Sequence, residues 1–214
     1  MAKSNEIDML HGPLFMKILL FTLPLAASSV LQQLFNSIDV AVVGHFASSQ
    51  ALAAVGSNAP VISLIINLFL GVSMGANVVI SNHIGQNDDK KIKQAVATAG
   101  MVAVVGGLLL MFIGVAVAKP ILTLMGTPPD VLPLAILYLR IYFLGMPFFM
   151  MFNFGSAILR SLGDTRRPLY ILVAAGIVNT VLNLIFVIVF HMGVAGVAIA
   201  TGIANMVSAM LIIR

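Results

Sequence analysis

VAVVGHFASSQALAAVGSNAPVISLIINLFLGVSMGANVVISNHIGQN, from Val40 to Asn87, contains no Asp, Glu, Lys or Arg. A second charge-free stretch runs from Pro168 to Ile213. One membrane crossing needs about 20 mainly apolar residues, so each stretch has room for two helices and a short turn. The rest of the chain agrees. Hydrophobic residues make up 60% of it and charged residues 8%, against roughly 25% charged in a soluble domain. So few charges cannot cover a water-facing surface. The expected fold class is all-α: a polytopic transmembrane bundle of about six helices.

Working outward, the apolar runs place helices at 14–43, 51–80, 94–118, 132–158, 169–190 and 194–214. Pro24 lies inside the first and removes a backbone hydrogen bond, which favours a bend. Pro60 and Pro147 fall inside the second and fourth, and Pro168 stands at the start of the fifth, where proline is well tolerated. Segments 82–93 and 119–130 read as loops, the latter because Pro120, Pro128 and Pro129 stop helices. The polar start, with Lys3, Glu6, Asp8 and Lys17, leads into an apolar run without a small-residue cleavage site. It reads as an uncleaved first helix, not a signal peptide.

Basic residues fix the expected orientation. Lys3, Lys17, Lys90, Lys91, Lys93, Arg160, Arg166, Arg167 and Arg214 fall on one side of the six crossings. Lys119 and Arg140 lie toward the other, Arg140 near an interface where its long side chain can snorkel. By the positive-inside rule the N-terminus is cytoplasmic and the protein is a multi-pass protein of the cell membrane. The net charge of +4 is thus a topology signal. It forms no stripe that could track phosphates, and no nucleic-acid partner is expected.

An ionisable group inside the hydrocarbon is costly and usually faces a cavity, a partner or an ion. Asp39 is the one acidic residue deep in a predicted helix. Ser29, Gln32, Asn36 and Asp39 follow 3, 4, 3 spacing and so share one face. The plain alternative is that Asp39 sits wet at the outer end of its helix. Asn179 and Asn183 form an i, i+4 pair on the fifth helix, and Thr201, Asn205 and Ser208 share a face of the sixth. They serve either as interhelical glue or, with Asp39, as an oxygen-rich site. Such oxygens suit Na⁺, and a carboxylate in a low-dielectric cleft can equally carry a proton. Met146, Phe148, Phe149, Met150 and Met151, around Pro147, are candidates for an adaptable apolar pocket. His11, His45, His83 and His191 fall at helix ends or in loops, with no metal-ligand spacing. Cysteine is absent, so thiolate metal sites and disulfides are excluded.

No nucleophile elbow, phosphate loop or H-E-x-x-H motif occurs. Neither an enzyme nor a cofactor is expected, and any transport would be driven by an ion gradient or another subunit.

Three stretches together resemble the multidrug and toxic compound extrusion family: LPLAASSVLQQLFNSIDVAVVGH from Leu23 to His45, RSLGDTRRPLY from Arg160 to Tyr170, and NTVLNLIF with GVAGVAIATGIA across the fifth and sixth helices. The resemblance covers essentially the whole chain and implies the N-terminal six-helix lobe of a twelve-helix transporter. Such proteins exchange cationic or amphipathic drugs for Na⁺ or H⁺. On that resemblance Asp39, Asn179 and Thr201 match the cation site of that lobe, with Asn183 beside them where some relatives carry an aspartate. Pro24 matches the proline associated with helix bending, and Gln32, Asn36 and Asn205 are expected to line the cleft. The implied partners are small organic cations, membrane lipid, and either the missing C-terminal lobe or a second copy of this chain. A lipid-linked oligosaccharide flippase of the same superfamily is one alternative. A non-transporting membrane scaffold subunit, in which Asp39 would be dispensable, is another.

Overall fold

A computed structural model describes residues 14–214, and the expectations for Lys3, Glu6, Asp8 and His11 lie outside the described residues. The fold is an all-α bundle of α1 (Leu14–Phe46), α2 (Ser49–Gly85), α3 (Asp89–Leu124), α4 (Leu132–Leu144), α5 (Met146–Ser161), α6 (Arg166–Leu184) and α7 (Gly193–Ile213). A π-helical turn, Ile185–Val189, extends α6. Among the described residues five helices are long and apolar enough to cross a membrane by themselves, α6 together with its π turn. The pair α4–α5, bent by 48° at its junction, makes a sixth span if taken as one.

The helices run further than their apolar cores suggest, because polar residues at their ends act as caps. The Ser48 hydroxyl accepts from Ala51 N at 3.2 Å and starts α2 at once after α1, so the turn expected at 44–50 shrinks to two residues. The expected loop 82–93 shrinks to 86–88. Asn87 takes φ 52° and Asp88 Oδ1 accepts from Lys91 N at 3.1 Å, starting α3 five residues earlier than its apolar run. At its far end α3 passes through Pro120 to Leu124, where the apolar run had suggested a stop at 118. One missing backbone hydrogen bond does not end a helix whose next turn is packed, and Ala118 and Leu122 are fully buried.

The fourth expected helix is two helices. Pro147 has no N–H for the Phe143 carbonyl and disfavours helical geometry at Met146. The chain breaks at Gly145, whose N–H bonds instead to Tyr142 O at 3.0 Å. Pro24, in contrast, sits within an uninterrupted α1, and the Ser28 hydroxyl donates to its carbonyl at 2.8 Å.

Helix α5 packs on α2, α3 and α7, while α7 also packs on α4 and α6. One apolar cluster, with Val43, Leu122, Leu139, Phe143 and Val197 fully buried, holds α1–α4 and α7 together. Met146 belongs to that cluster, and Met150 to a second one with Ile80 and Phe154. Met146 and Met150, two of the five residues around Pro147 expected to form an adaptable pocket, are thus core. The outer faces carry exposed Phe15, Leu64, Met101, Phe112 and Ile213, an apolar surface of the kind that lipid covers and water does not. A small cavity lined by Phe46, Ala47, Ser48, Ala51, Leu134 and residues 191–194 shows that the α1–α2 and α6–α7 connections and the start of α4 meet at one end. Lys90, Lys91, Lys93, Arg166 and Arg167 stand at the starts of α3 and α6, next to the α2–α3 and α5–α6 connections.

Candidate functional site

A cavity of about 450 Å³ opens into the bundle between α1, α2, α5, α6 and α7. The stripe Ser29–Gln32–Asn36–Asp39 forms its α1 wall, and Thr201, Asn205 and Ser208 form its α7 wall. Asn179 faces it from α6. The three polar faces anticipated from spacing therefore converge on one space. Asn183 lies just behind it, fully buried.

Behind the wall, the side chains are linked in series. Asn183 Nδ2 donates to Asp39 Oδ1, and also to Asn179 Oδ1 at 3.2 Å. Asn179 Nδ2 donates to Thr201 Oγ1 at 3.3 Å, and that hydroxyl donates to Val197 O at 3.0 Å. One donor on Asn183 thus joins α1 to α6, and one on Asn179 joins α6 to α7. Asn183 Oδ1 is buried with no hydrogen-bond partner. A buried, unsatisfied acceptor is costly, and here it adjoins a carboxylate.

Asp39 is not at a wet helix end. Helix α1 continues to Phe46, and one turn outward from Asp39 stands Val43, fully buried. On α6, Val187 stands one turn outward from Asn183 and is likewise buried. The polar group thus has buried valines on that side, and Asp39, Asn179 and Thr201 line the cavity. It offers one carboxylate, amide oxygens and a hydroxyl. That donor set fits a hard monovalent cation or a proton better than a soft metal. Among the described residues no group of three His, Cys, Asp or Glu is placed to hold a metal ion.

Several cavity residues were not singled out from the sequence. Ser63 and Asn67 on α2, and Asn153 on α5, bring further polar atoms to the space, while Phe35, Tyr142 and Phe152 bring aromatic faces. Tyr142 stacks on Tyr138 with ring centroids 6.3 Å apart. The signal was present for Asn67 and Asn153, each a lone amide in an apolar run. Of the cluster around Pro147 only Phe149 lines the cavity. Arg140 is exposed and does not line it. Among the described residues no Lys or Arg contributes to its wall, and Asp39 is its single formally charged side chain.

The chain has recognisable relatives. A family model described as MatE matches residues 24–185. The probable multidrug resistance protein YpnP of Bacillus subtilis (strain 168) is 32% identical over 91% of this chain and 44% of its own length. A crystal structure of MATE in the bent conformation superposes with TM-score 0.90 at 26% identity, over 99% of this chain and 47% of the other. A MOP superfamily transporter from Pyrococcus furiosus matches with the same TM-score, identity and coverage, and is described as having a binding pocket of reverse polarity that suggests a different function. This chain spans less than half the length of the proteins it matches. With the model match covering most of its length, the chain belongs to the MatE family.

Proposed function

We propose that this chain forms one six-helix lobe of an ion-coupled multidrug exporter, moving small organic cations across the cell membrane in exchange for Na⁺ or H⁺. The observation that carries the reading is the linked group Asp39–Asn183–Asn179–Thr201 standing at the wall of the 450 Å³ cavity. A cation or proton at Asp39 changes the charge of the cavity wall by one. A cationic substrate and the coupling ion would then compete for the same carboxylate, which is the physical requirement for exchange. Phe35, Tyr142, Phe149 and Phe152 supply apolar and π surface for flat, amphipathic substrates. The multidrug assignment of the Bacillus relative points the same way.

The second lobe would supply the other wall of the cleft, and opposed movement of the two lobes would give alternating access. Basic residues next to the α2–α3 and α5–α6 connections support, by the positive-inside rule, a cytoplasmic side for those loops and the N-terminus. A charged maleimide applied to intact cells should therefore fail to label a Lys91→Cys variant, and labelling there would reverse the topology.

The flippase reading gains some support from the Pyrococcus match and its different pocket polarity. A lipid-linked substrate carries phosphate, however, and among the described residues this cavity has no basic side chain to receive one. The deciding experiment is efflux of a fluorescent cationic dye from cells expressing the intact gene, under imposed Na⁺ or pH gradients. Loss of gradient-driven efflux in Asp39→Asn supports the exporter and the active gradient identifies the ion. Unchanged efflux at equal expression would remove Asp39 from the mechanism.

A further inference from the structure

Of the asparagines on α2, two hold other helices. Asn58 Nδ2 donates to Ala135 O of α4 at 3.1 Å, and Asn77 Nδ2 donates to Ala157 O of α5 at 2.9 Å. Both act as the interhelical glue expected of amides inside a membrane bundle. Asn67, between them, does not. It lines the cavity, and its side chain makes no hydrogen bond to the described residues. Gln32, Gln33, Asn36 and Asn205 line the same cavity, and their side chains are likewise without a hydrogen bond to the described residues.

These amides stand at mid-depth. Asn67 is the middle residue of α2 (Ser49–Gly85). Gln32 lies two residues past the middle of α1 (Leu14–Phe46), and Asn205 two past the middle of α7 (Gly193–Ile213). Two residues are a rise of about 3 Å. The middle of a spanning helix lies near the bilayer midplane, the depth at which transporters hold their substrates. A small-molecule site is ordinarily lined mainly by apolar side chains with a few polar ones. Here, among the described residues, seven carboxamides stand beside one carboxylate. Asn153 and Asn179 commit a hydrogen to Phe149 O and Thr201 Oγ1. The other five keep both donor hydrogens and the acceptor oxygen for whatever enters the cavity.

We propose that this amide belt, Gln32, Gln33, Asn36, Asn67 and Asn205, recognises the uncharged part of the cargo. The cargo is an amphipathic monocation carrying several hydroxyl or amide groups, such as a glycoside with one amine. The inference refines the exporter reading given above and rests on it. A carboxamide both donates and accepts, as do a hydroxyl and a peptide group, so the two arrays match in many orientations. The single carboxylate on this wall, Asp39, answers one positive charge, and Phe35, Tyr142 and Phe152 take the apolar part. A flat cation without hydrogen-bonding groups would displace water from the belt and offer nothing in return. Sites built to bond polar groups discriminate against analogues that lack them for this reason.

The test measures binding to the detergent-solubilised full-length protein by equilibrium dialysis, with empty micelles as the blank. One probe is daunorubicin, a monocation with an amino sugar and further hydroxyls. The other is tetraphenylphosphonium, a monocation with no hydrogen-bonding group. The wild-type protein should bind daunorubicin more tightly, by about ten-fold or more. Asn67→Leu and Asn205→Leu should each lower daunorubicin affinity, relative to that of tetraphenylphosphonium, by about five-fold, the worth of one neutral hydrogen bond. Asn67→Gln should recover most of that loss. Equal losses for the two probes assign the amides to packing or to contacts with the second lobe, and overturn the proposal. So does a wild-type protein that binds both probes alike, a result that needs no variant to fold. Binding needs no transport. Amide-dependent binding by a protein that moves neither probe across a membrane sinks the exporter reading and keeps the belt as a ligand site. Export of tetraphenylphosphonium without preferential binding of daunorubicin does the reverse.

Discussion

Asn183 of α6 donates one amide hydrogen to the Asp39 carboxylate of α1 and the other to Asn179 one turn away on its own helix. Both hydrogens of one amide are therefore spent on fixing the position of the carboxylate relative to α6. The remaining oxygen has no partner.

Removing that amide should disable the site without unfolding the lobe. In Asn183→Ala, Asp39 loses a hydrogen bond to a charged acceptor, worth about 2 kcal/mol. Gradient-driven dye efflux by the intact protein is expected to fall by ten-fold or more at equal expression. Efflux at the wild-type rate would mean that the Asp39–Asn183 bond has no part in transport.

Thr201→Val keeps the shape of the side chain and deletes the hydroxyl that accepts from Asn179. A neutral hydrogen bond is worth about 1 kcal/mol. The expected loss of efflux is roughly five-fold, milder than for Asn183→Ala. Equal losses in the two variants would indicate that the links act as one unit and not in series.

Helix packing should fail at Gly107 and not at Gly100. A Cβ at Gly107 would lie 2.6 Å from Pro147 Cα, a backbone atom held by the α4–α5 break. Overpacking of this kind costs about 1–3 kcal/mol, against roughly 1 kcal/mol gained in helix propensity. Gly107→Ala should therefore lower the melting temperature of the detergent-solubilised protein. Gly100, with nothing within 4 Å of its Cβ position, should tolerate Ala or gain from it.

Asp164 holds the first turn of α6 in place of a side-chain cap from Thr165, which makes none. Asp164→Ala leaves two backbone N–H groups and Arg167 without their acceptor. The cost should be about 2 kcal/mol by the scale of charged hydrogen bonds and helix caps. Asp164→Asn, which keeps one acceptor oxygen, should recover part of it in the same thermal-melt assay.

At the α2–α3 turn, the backbone N–H and side chain of Lys91 hold the Asp88 carboxyl below its ordinary range. A carboxylate with a depressed folded-state pKa stabilises above its unfolded pKa, and the contribution is lost as pH falls through the folded value. Amide exchange in the first turn of α3 should accelerate relative to mid-helix when pH is lowered from 7 to below 4. Asp88→Asn should flatten that dependence, and an identical acid response in the variant would show that the cap carboxylate is not its source.

The reading of particular residues shows where sequence sufficed. The charge-free stretches, each long enough for two crossings, required a membrane bundle whatever the packing, because no other fold buries so much apolar surface with so few charges. The 3, 4, 3 row on α1, the i, i+4 pair on α6 and the row on α7 each named a helix face correctly, since 3.6-residue periodicity is a local property. Periodicity says nothing about which face meets which. That Asp39 meets Asn183, 144 residues away in sequence, depends on how closely α1 approaches α6. The approach is set by Gly176, where an added Cβ would stand 2.0 Å from the Phe35 ring. Helix ends were misjudged for the opposite reason. Apolar patterning stops where the lipid stops, whereas caps such as Ser48 and Asp88 carry the helix on into polar sequence. The break at Gly145 and the unpartnered oxygen of Asn183 needed the tertiary structure, because an unsatisfied group is defined only by what the fold leaves beside it.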